Sequence, residues 1–316
     1  MTANFTAAST TDDVLGDLDL TGKRVFITGV SSGLGVETAR ALASRGAQVI
    51  GTARDLDKAR AAIAAALGDK QDRVELIALD LGRLSSVRAV ADQLLQRGLP
   101  LDVIIANAGV MACPFGKTAD GFETQFGTNH LGHFVLVNRL APLLRAGSRV
   151  VVLASAGHRV ADVDLEDPNF ERTAYKELIA YGRSKTANVL FAVEFDRRHR
   201  GRGVRAAALH PGGIRTDLLR HLTPEIYKQF DELTPKTATG EPQRSGLKTI
   251  PQGAATSVWV GFVADADAIG GHYCEDSHVA AVVDALQTGG VRDYAVNPER
   301  AQALWAESED MVGERF

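Results

Sequence analysis

Cysteine is scarce in this chain: Cys113 and Cys274 are the whole supply in 316 residues. Two thiols so separated build neither a disulfide framework nor a metal-ligand spacing, so they read as small buried hydrophobes in a reducing compartment. Also missing is an uninterrupted apolar run of the ~18 residues that a bilayer crossing requires; the stretch around Trp259 is broken by Asp265 and Asp267. Residues 1–20 are polar and acidic, without the basic start and apolar stretch of a secretory signal. A cytoplasmic protein with no membrane partner is expected. Basic excess is lacking as well. The formal net charge is -4, and no basic stripe carries interleaved aromatics, which argues against a nucleic-acid partner. The cluster Arg197-Arg198-His199-Arg200 fits a solvated helix end. No two histidines stand with a cysteine or carboxylate in a metal-binding arrangement, so no catalytic metal is expected.

What is there has the composition of an ordinary globular chain, 45% hydrophobic and 23% charged, with ample material for a core. Apolar β-branched runs alternate with helical patterns from about Gly22 to Gly271. Lys23 to Thr28 reads as a first strand, followed by a helical pattern through Arg45. Gln48 to Thr52 reads as the second strand, Leu56 to Leu67 as an alanine-rich helix and Val74 to Leu79 as the third strand. After another helix come strand four at Asp102 to Ala106, a long helix at Glu123 to Leu144 and strand five at Arg149 to Ala154. A second long helix at Tyr175 to Arg200 and strand six at Val204 to Leu209 complete the series. Such alternation predicts an α/β fold with a doubly wound, mostly parallel sheet of the Rossmann type, whose ligands belong at the carboxyl ends of the strands. One domain is expected over residues 21–297, after an extension at 1–20 and before a docking helix at 298–316. Within it lie an acidic insertion at 156–174 and a substrate lid over about 217–250.

Between the first strand and its helix lies Gly29-Val30-Ser31-Ser32-Gly33-Leu34-Gly35. Absent side chains let backbone N–H groups and the positive helix end meet a pyrophosphate, so Gly29, Ser31, Ser32, Gly33, Leu34 and Gly35 are candidate cofactor-binding residues. At the end of the second strand Arg54 stands where an NAD site would present an acid. A cation suits a 2′-phosphate, so NADP is expected before NAD, although the adjoining Asp55 keeps NAD open. Asp80 reads either as an acceptor for the adenine amino group or as a helix N-cap. Tyr181 and Lys185, four apart, share one helix face. An isolated phenol has a pKa of roughly 10, and a fixed cation beside it favours phenolate; a fall to about 7 takes roughly 4 kcal/mol. Such a phenol can serve as an acid/base catalyst, while the same spacing also decorates exposed helices without any chemistry.

Taken in order, Thr28-Gly29 with Gly33-Leu34-Gly35, Asp80-Leu81, Asn107-Ala108-Gly109, Asn129, Ser155, Tyr181 with Lys185, and Pro211-Gly212-Gly213-Ile214-Arg215-Thr216 resemble the short-chain dehydrogenase/reductase family. The resemblance covers nearly the whole chain after residue 20. The wording Thr128-Asn129-His130-Leu131-Gly132-His133-Phe134, with Ser184-Lys185-Thr186-Ala187-Asn188 and His210-Pro211-Gly212, is most similar to the retinol-dehydrogenase-like and protochlorophyllide-reductase-like branch. The resemblance implies an NADP(H)-dependent oxidoreductase, an alcohol dehydrogenase or carbonyl reductase that interconverts a lipophilic ketone or aldehyde and its alcohol. It implies Tyr181 as proton donor, Ser155 as holder of the carbonyl oxygen, and Lys185 as the partner that lowers the tyrosine pKa and bonds the nicotinamide ribose. Asn129 is expected to position a water linking the lysine to solvent. Asp80, Leu81, Asn107, Ala108 and Gly109 are expected against the cofactor, with Pro211, Gly212, Ile214 and Thr216 holding the carboxamide. Met111, His158 and Tyr227 are substrate candidates; for His158 a loop histidine bonded to backbone is the competing reading, and His130, His133 and His210 read as structural. Two other classes stay open: an NADP(H)-sensing binding protein without turnover, and an epimerase or dehydratase with retained cofactor. The acidic insertion is expected to cover the helix faces that commonly form the family's oligomer interface, which leaves monomer and homodimer both open.

Overall fold

Strand β1 (Arg24–Thr28) is flanked by β2 (Gln48–Ala53) on one side and β4 (Leu101–Ala106) on the other, so the direction in which the chain adds strands reverses at this point. The computed structural model describes residues 5–233, 246–283 and 289–316. Its sheet has the order β3-β2-β1-β4-β5-β6-β7-β8. Here β3 is Val74–Ala78, β5 Leu144–Leu153, β6 Arg205–His210 and β7 Tyr273–Glu275, all parallel, and β8 (His278–Val279) turns back antiparallel onto β7. Register follows the apolar residues: Val25 faces Val49 and Val103, and Val151 faces Ala207.

The two-residue period of the strands divides the core into two layers. Phe26, Ile104, Val150, Val152, Ala206 and Ala208 are buried on one face. That face is covered by α4 (Leu84–Arg97), α5 (Thr124–Phe126), α6 (Gly132–Leu140), α7 (Glu177–His199), α11 (Asp293–Val296) and α12 (Pro298–Val312). Val25, Ile27, Val103, Ile105, Val151 and Ala207 pack the opposite face. There they meet α1 (Thr11–Leu15), α2 (Gly33–Ser44), α3 (Leu56–Leu67), α9 (Ile250–Val258) and α10 (Ala266–Ile269). A separate apolar group near the strand ends includes Ile226 of α8 (Pro224–Leu233).

Several boundaries differ from the sequence expectation. The helix expected at Glu123 to Leu144 is α5 and α6 joined by a π turn over Gly127–Leu131, and it ends in a tight turn at Ala141–Leu143 where Pro142 cannot continue the ladder. Strand β5 therefore starts five residues early, at Leu144. Strands β7 and β8 and helices α1 and α9 carry too few residues for a periodicity to show. The first of these helices is tied in by Val14 and Leu15 in the core and by Asp12, which pairs with Arg40 and Arg45. Of the expected lid, residues 234–245 lie outside the described residues. The acidic insertion folds around Asp167, whose carboxylate accepts from the backbone N–H groups of Glu171 (2.7 Å) and Thr173 (2.9 Å). It packs on the start of α7, where Arg183 donates to the Asp167 carbonyl and lies over the Phe170 ring. Farther along the bundle α12 takes over, with Trp305 set against Phe134 and Phe191.

Candidate active site

A cleft of about 1000 Å³ opens at the carboxyl ends of the parallel strands, where an open α/β sheet places its ligand. The turn after β1 forms one wall. A Cβ at Gly29 would sit 2.9 Å from the Ala108 Cβ, and one at Gly35 would sit 2.7 Å from the Asn107 amide nitrogen, so neither position admits a side chain. Asn107 Nδ2 donates to the carbonyl of Thr28 (2.8 Å), pinning the end of β4 to the end of β1. Ser32 is the N-cap of α2 but makes no side-chain cap bond, so the first N–H groups of the helix remain available to a ligand. Ser31, Ser32, Gly33, Leu34, Arg54, Asp80, Leu81, Ala108 and Gly109 all line the same cleft. Asp55 is occupied elsewhere: its carboxylate caps α3 by accepting from the Lys58 N–H at 2.9 Å. Asp80 accepts from the Gly82 N–H at 3.0 Å.

The second group converges from β5 and α7. Ser155 follows β5 and caps a short turn, its Oγ accepting from the Gly157 N–H at 3.0 Å. The same hydroxyl lies close enough to the phenol of Tyr181 to lower its pKa. Tyr181 is 4% exposed and packs with Met111, Ala112, Leu178 and Ile226. Lys185, one turn on, donates from Nζ to the carbonyl of Leu153 (2.9 Å), and that nitrogen lies 5.7 Å from the centre of the Tyr181 ring. The Asn129 amide accepts from the Val110 N–H (2.8 Å) and donates to the Val110 carbonyl and to Ser184 Oγ (2.9 Å each). Along the third wall run Pro211, Gly212, Ile214 and Thr216, where Ile214 bridges to Lys248 in parallel register.

The sequence model of the short chain dehydrogenases matches residues 23–226. The chain belongs to the short-chain dehydrogenase family. Among curated relatives, the short-chain dehydrogenase/reductase prx1 of Penicillium rubens is 39% identical, with 95% of this chain and 88% of the relative covered. Retinol dehydrogenase 14 of Mus musculus is 39% identical, with 92% and 86% covered. A crystal structure of an uncharacterised protein from Mycobacterium paratuberculosis aligns over 99% of both chains, with TM-score 0.72 and 34% identity. The angucycline C-6 ketoreductase LanV with bound NADP aligns over 82% of this chain and 95% of its own, with TM-score 0.61 and 25% identity.

In this short-chain dehydrogenase, electrostatics and packing correct two expectations. The lysine was expected to depress the tyrosine, yet burial pushes the Tyr181 phenol up to about 12, against a smaller lowering by the bond from Ser155. The Lys185 ammonium is itself pushed down to about 8 by burial, and it is held by a backbone carbonyl instead of facing the phenol oxygen. The Asn129 amide spends both of its N–H groups within the protein, on the Val110 carbonyl and Ser184 Oγ. His158 does not reach substrate space: it is fully buried, with Nδ1 2.6 Å from the Ser155 carbonyl and Nε2 accepting from the Arg292 N–H, and its ring packs on Tyr273. Met111 and Tyr227 do line the cleft. Motif reading missed Gly157 and Leu178, which also line it, while Leu219, Leu222, Phe230 and Leu247 line it from within the expected lid. Leu178 had a signal, standing three places before Tyr181 on the same helix face. The other apolar residues come from loops and a short helix whose positions no local pattern sets.

Proposed function

We propose that this short-chain dehydrogenase is an NADP(H)-dependent oxidoreductase that interconverts a lipophilic ketone or aldehyde and its alcohol. The observation that carries this reading is the Tyr181 phenol, set beside Ser155 between a glycine-walled cleft and an apolar wall of Met111, Leu178 and Leu222. The residues present fit a dinucleotide. The tight turn at Gly29 and Gly35 and the uncapped start of α2 suit a pyrophosphate, and Arg54 at the end of β2 suits a 2′-phosphate while Asp55 is spent on capping α3. The cofactor supplies the hydride. Asp80, Leu81 and the Asn107 to Gly109 segment would hold its adenosine and ribose side, and Pro211 to Thr216 its carboxamide.

The protein's own part is proton management and positioning. Tyr181 gives its phenolic proton to the substrate oxygen in reduction and takes it back in oxidation. Burial holds that phenol protonated, which is the state a carbonyl reduction needs at its start. Ser155 steadies the same oxygen with its hydroxyl. Lys185 contributes positive charge beside the ring when the proton leaves. Apolar residues Tyr227, Phe230 and Leu247, at the open side of the cleft, form the outer part of a pocket for a lipophilic substrate within the lid proposed over about 217–250. Replacing Tyr181 with Phe removes the exchangeable proton and little else. Turnover of a panel of aliphatic, aromatic and steroidal carbonyls with NADPH is expected to fall roughly 10²- to 10⁴-fold. Turnover within a few fold of the parent rejects the mechanism.

A further inference from the structure

His133 takes no part in the chemistry above, yet its ring joins two parts of the site. It is buried on α6, one turn after Asn129. Nε2 lies 2.9 Å from Thr28 Oγ1, and Nδ1 lies 2.9 Å from the carbonyl oxygen of Asn129. Counting protons assigns the roles. Thr28 Oγ1 already accepts the backbone N–H groups of Asn107 and Ala108, each at 2.9 Å, which uses both lone pairs of the hydroxyl. The single O–H is left to donate to Nε2. Nε2 is then the acceptor nitrogen, and the proton of the neutral ring sits on Nδ1, donated to Asn129. A second ring proton would point at a hydroxyl that has only its own hydrogen to offer. Burial, and secondarily the nearby Lys185 cation, hold the ring neutral by pushing it down to about 4.

Both ends of this bridge reach the site. Thr28 closes β1 immediately before Gly29, and the two N–H groups it accepts belong to Asn107 and Ala108, directly after β4. Asn129 sits in the π turn, its amide bonded to Ser184 Oγ, and Ser184 Oγ donates to the carbonyl of Tyr181 at 2.8 Å. A continuous chain of hydrogen bonds thus runs from the floor of the cleft to the helix that carries Tyr181 and Lys185. We propose that His133 is a positioning residue for the reaction, which accepts from Thr28 and donates to Asn129 and so keeps the β1–β4 floor of the cleft in register with α7. The proposal rests on the reading of Tyr181 as the proton donor.

Two arms test it. Long-range proton–nitrogen correlation NMR on protein labelled with ¹⁵N-histidine, with His133→Asn used for assignment, is expected to show the His133 ring protonated at Nδ1 alone from about pH 8 to about pH 5.5. A ring protonated at Nε2, or charged at about pH 6, overturns the proposal whatever the turnover. In the kinetic arm, His133→Leu removes both bonds, and His133→Asn retains a donor close to the Asn129 carbonyl. With NADPH and a carbonyl that the parent reduces, His133→Leu is expected to lower kcat roughly ten- to a hundredfold while the NADPH Kd shifts less than about threefold, and His133→Asn is expected to recover part of that loss. An unchanged kcat in His133→Leu, or a loss confined to NADPH affinity, overturns the proposal. Should His133→Leu not fold, the kcat of His133→Asn against the parent together with the tautomer decides. A parent that binds NADPH but reduces no carbonyl ends the proposed function instead, and the tautomer alone then decides the place of His133.

Discussion

A methyl group at position 157 would fall 2.8 Å from Cε1 and 2.9 Å from Cδ1 of Tyr181, so Gly157 is what lets the Ser155 turn close on the phenol. Gly157→Ala is expected to push the two apart, lowering kcat/KM roughly tenfold or more while NADPH affinity stays near that of the parent; steady-state kinetics beside a cofactor titration would show it. Arg54→Glu places an acid where a 2′-phosphate would lie. The preference for NADPH over NADH is expected to fall roughly ten- to a hundredfold, and an unchanged ratio would remove Arg54 from cofactor choice. Lys185 carries its charge below about pH 8 and loses it above. The reduction rate at saturating NADPH is therefore expected to decline as pH rises through about 8. A flat profile up to about pH 10 would separate that charge from the chemistry. At this scale the residue types were legible, because Ser, Tyr, Lys and the glycine turn keep a fixed order along the chain. Their protonation states were not, because burial, which no local pattern records, pushes the phenol up and the ammonium down.

Helix α12 illustrates the next scale. Its periodic Leu304 and Trp305 were readable as a docking face, but the surface they dock against is set by residues more than a hundred positions earlier. Trp305 is 2% exposed, sits edge-on to Phe134, stacks on Phe191 and lies under the guanidinium of Arg198. Trp305→Ala is expected to destabilise the protein by roughly 3–5 kcal/mol, measured by urea unfolding, without changing the NADPH preference. A loss below about 1 kcal/mol would mean that the helix docks without depending on this ring. The long alternating elements were found from pattern, since six strands and their helices each present enough residues for a period to emerge. The π turn at Gly127–Leu131 was invisible in that reading, since a single wide turn spans too few residues to show a period of its own.

Across the whole molecule, burial of neutral imidazoles makes stability depend on acid. Burial pushes His130 down to about 3, His133 to about 4 and His158 to about 3, against 6.5 for a free ring. Between about pH 4 and 6.5 the unfolded chain binds protons that the folded chain refuses, so this stability is fully present above 6.5 and drains away as the pH falls toward 4. The three rings together contribute a slope of roughly 4 kcal/mol per pH unit near pH 5. Urea midpoints at pH 7 and pH 5 are expected to differ markedly; equal midpoints would show that these rings accept protons without unfolding.

The alternation of the first six strands with helices, the glycine turn and the Ser, Tyr and Lys candidates were legible in the sequence alone, because each depends on local period or on residues with few chemical alternatives. Only the tertiary structure decided which loops wall the pocket, which way His158 turns, and whether Lys185 meets a phenol or a backbone carbonyl. Those outcomes depend on contacts between segments far apart in the chain, where close packing and desolvation act, and no local pattern records them.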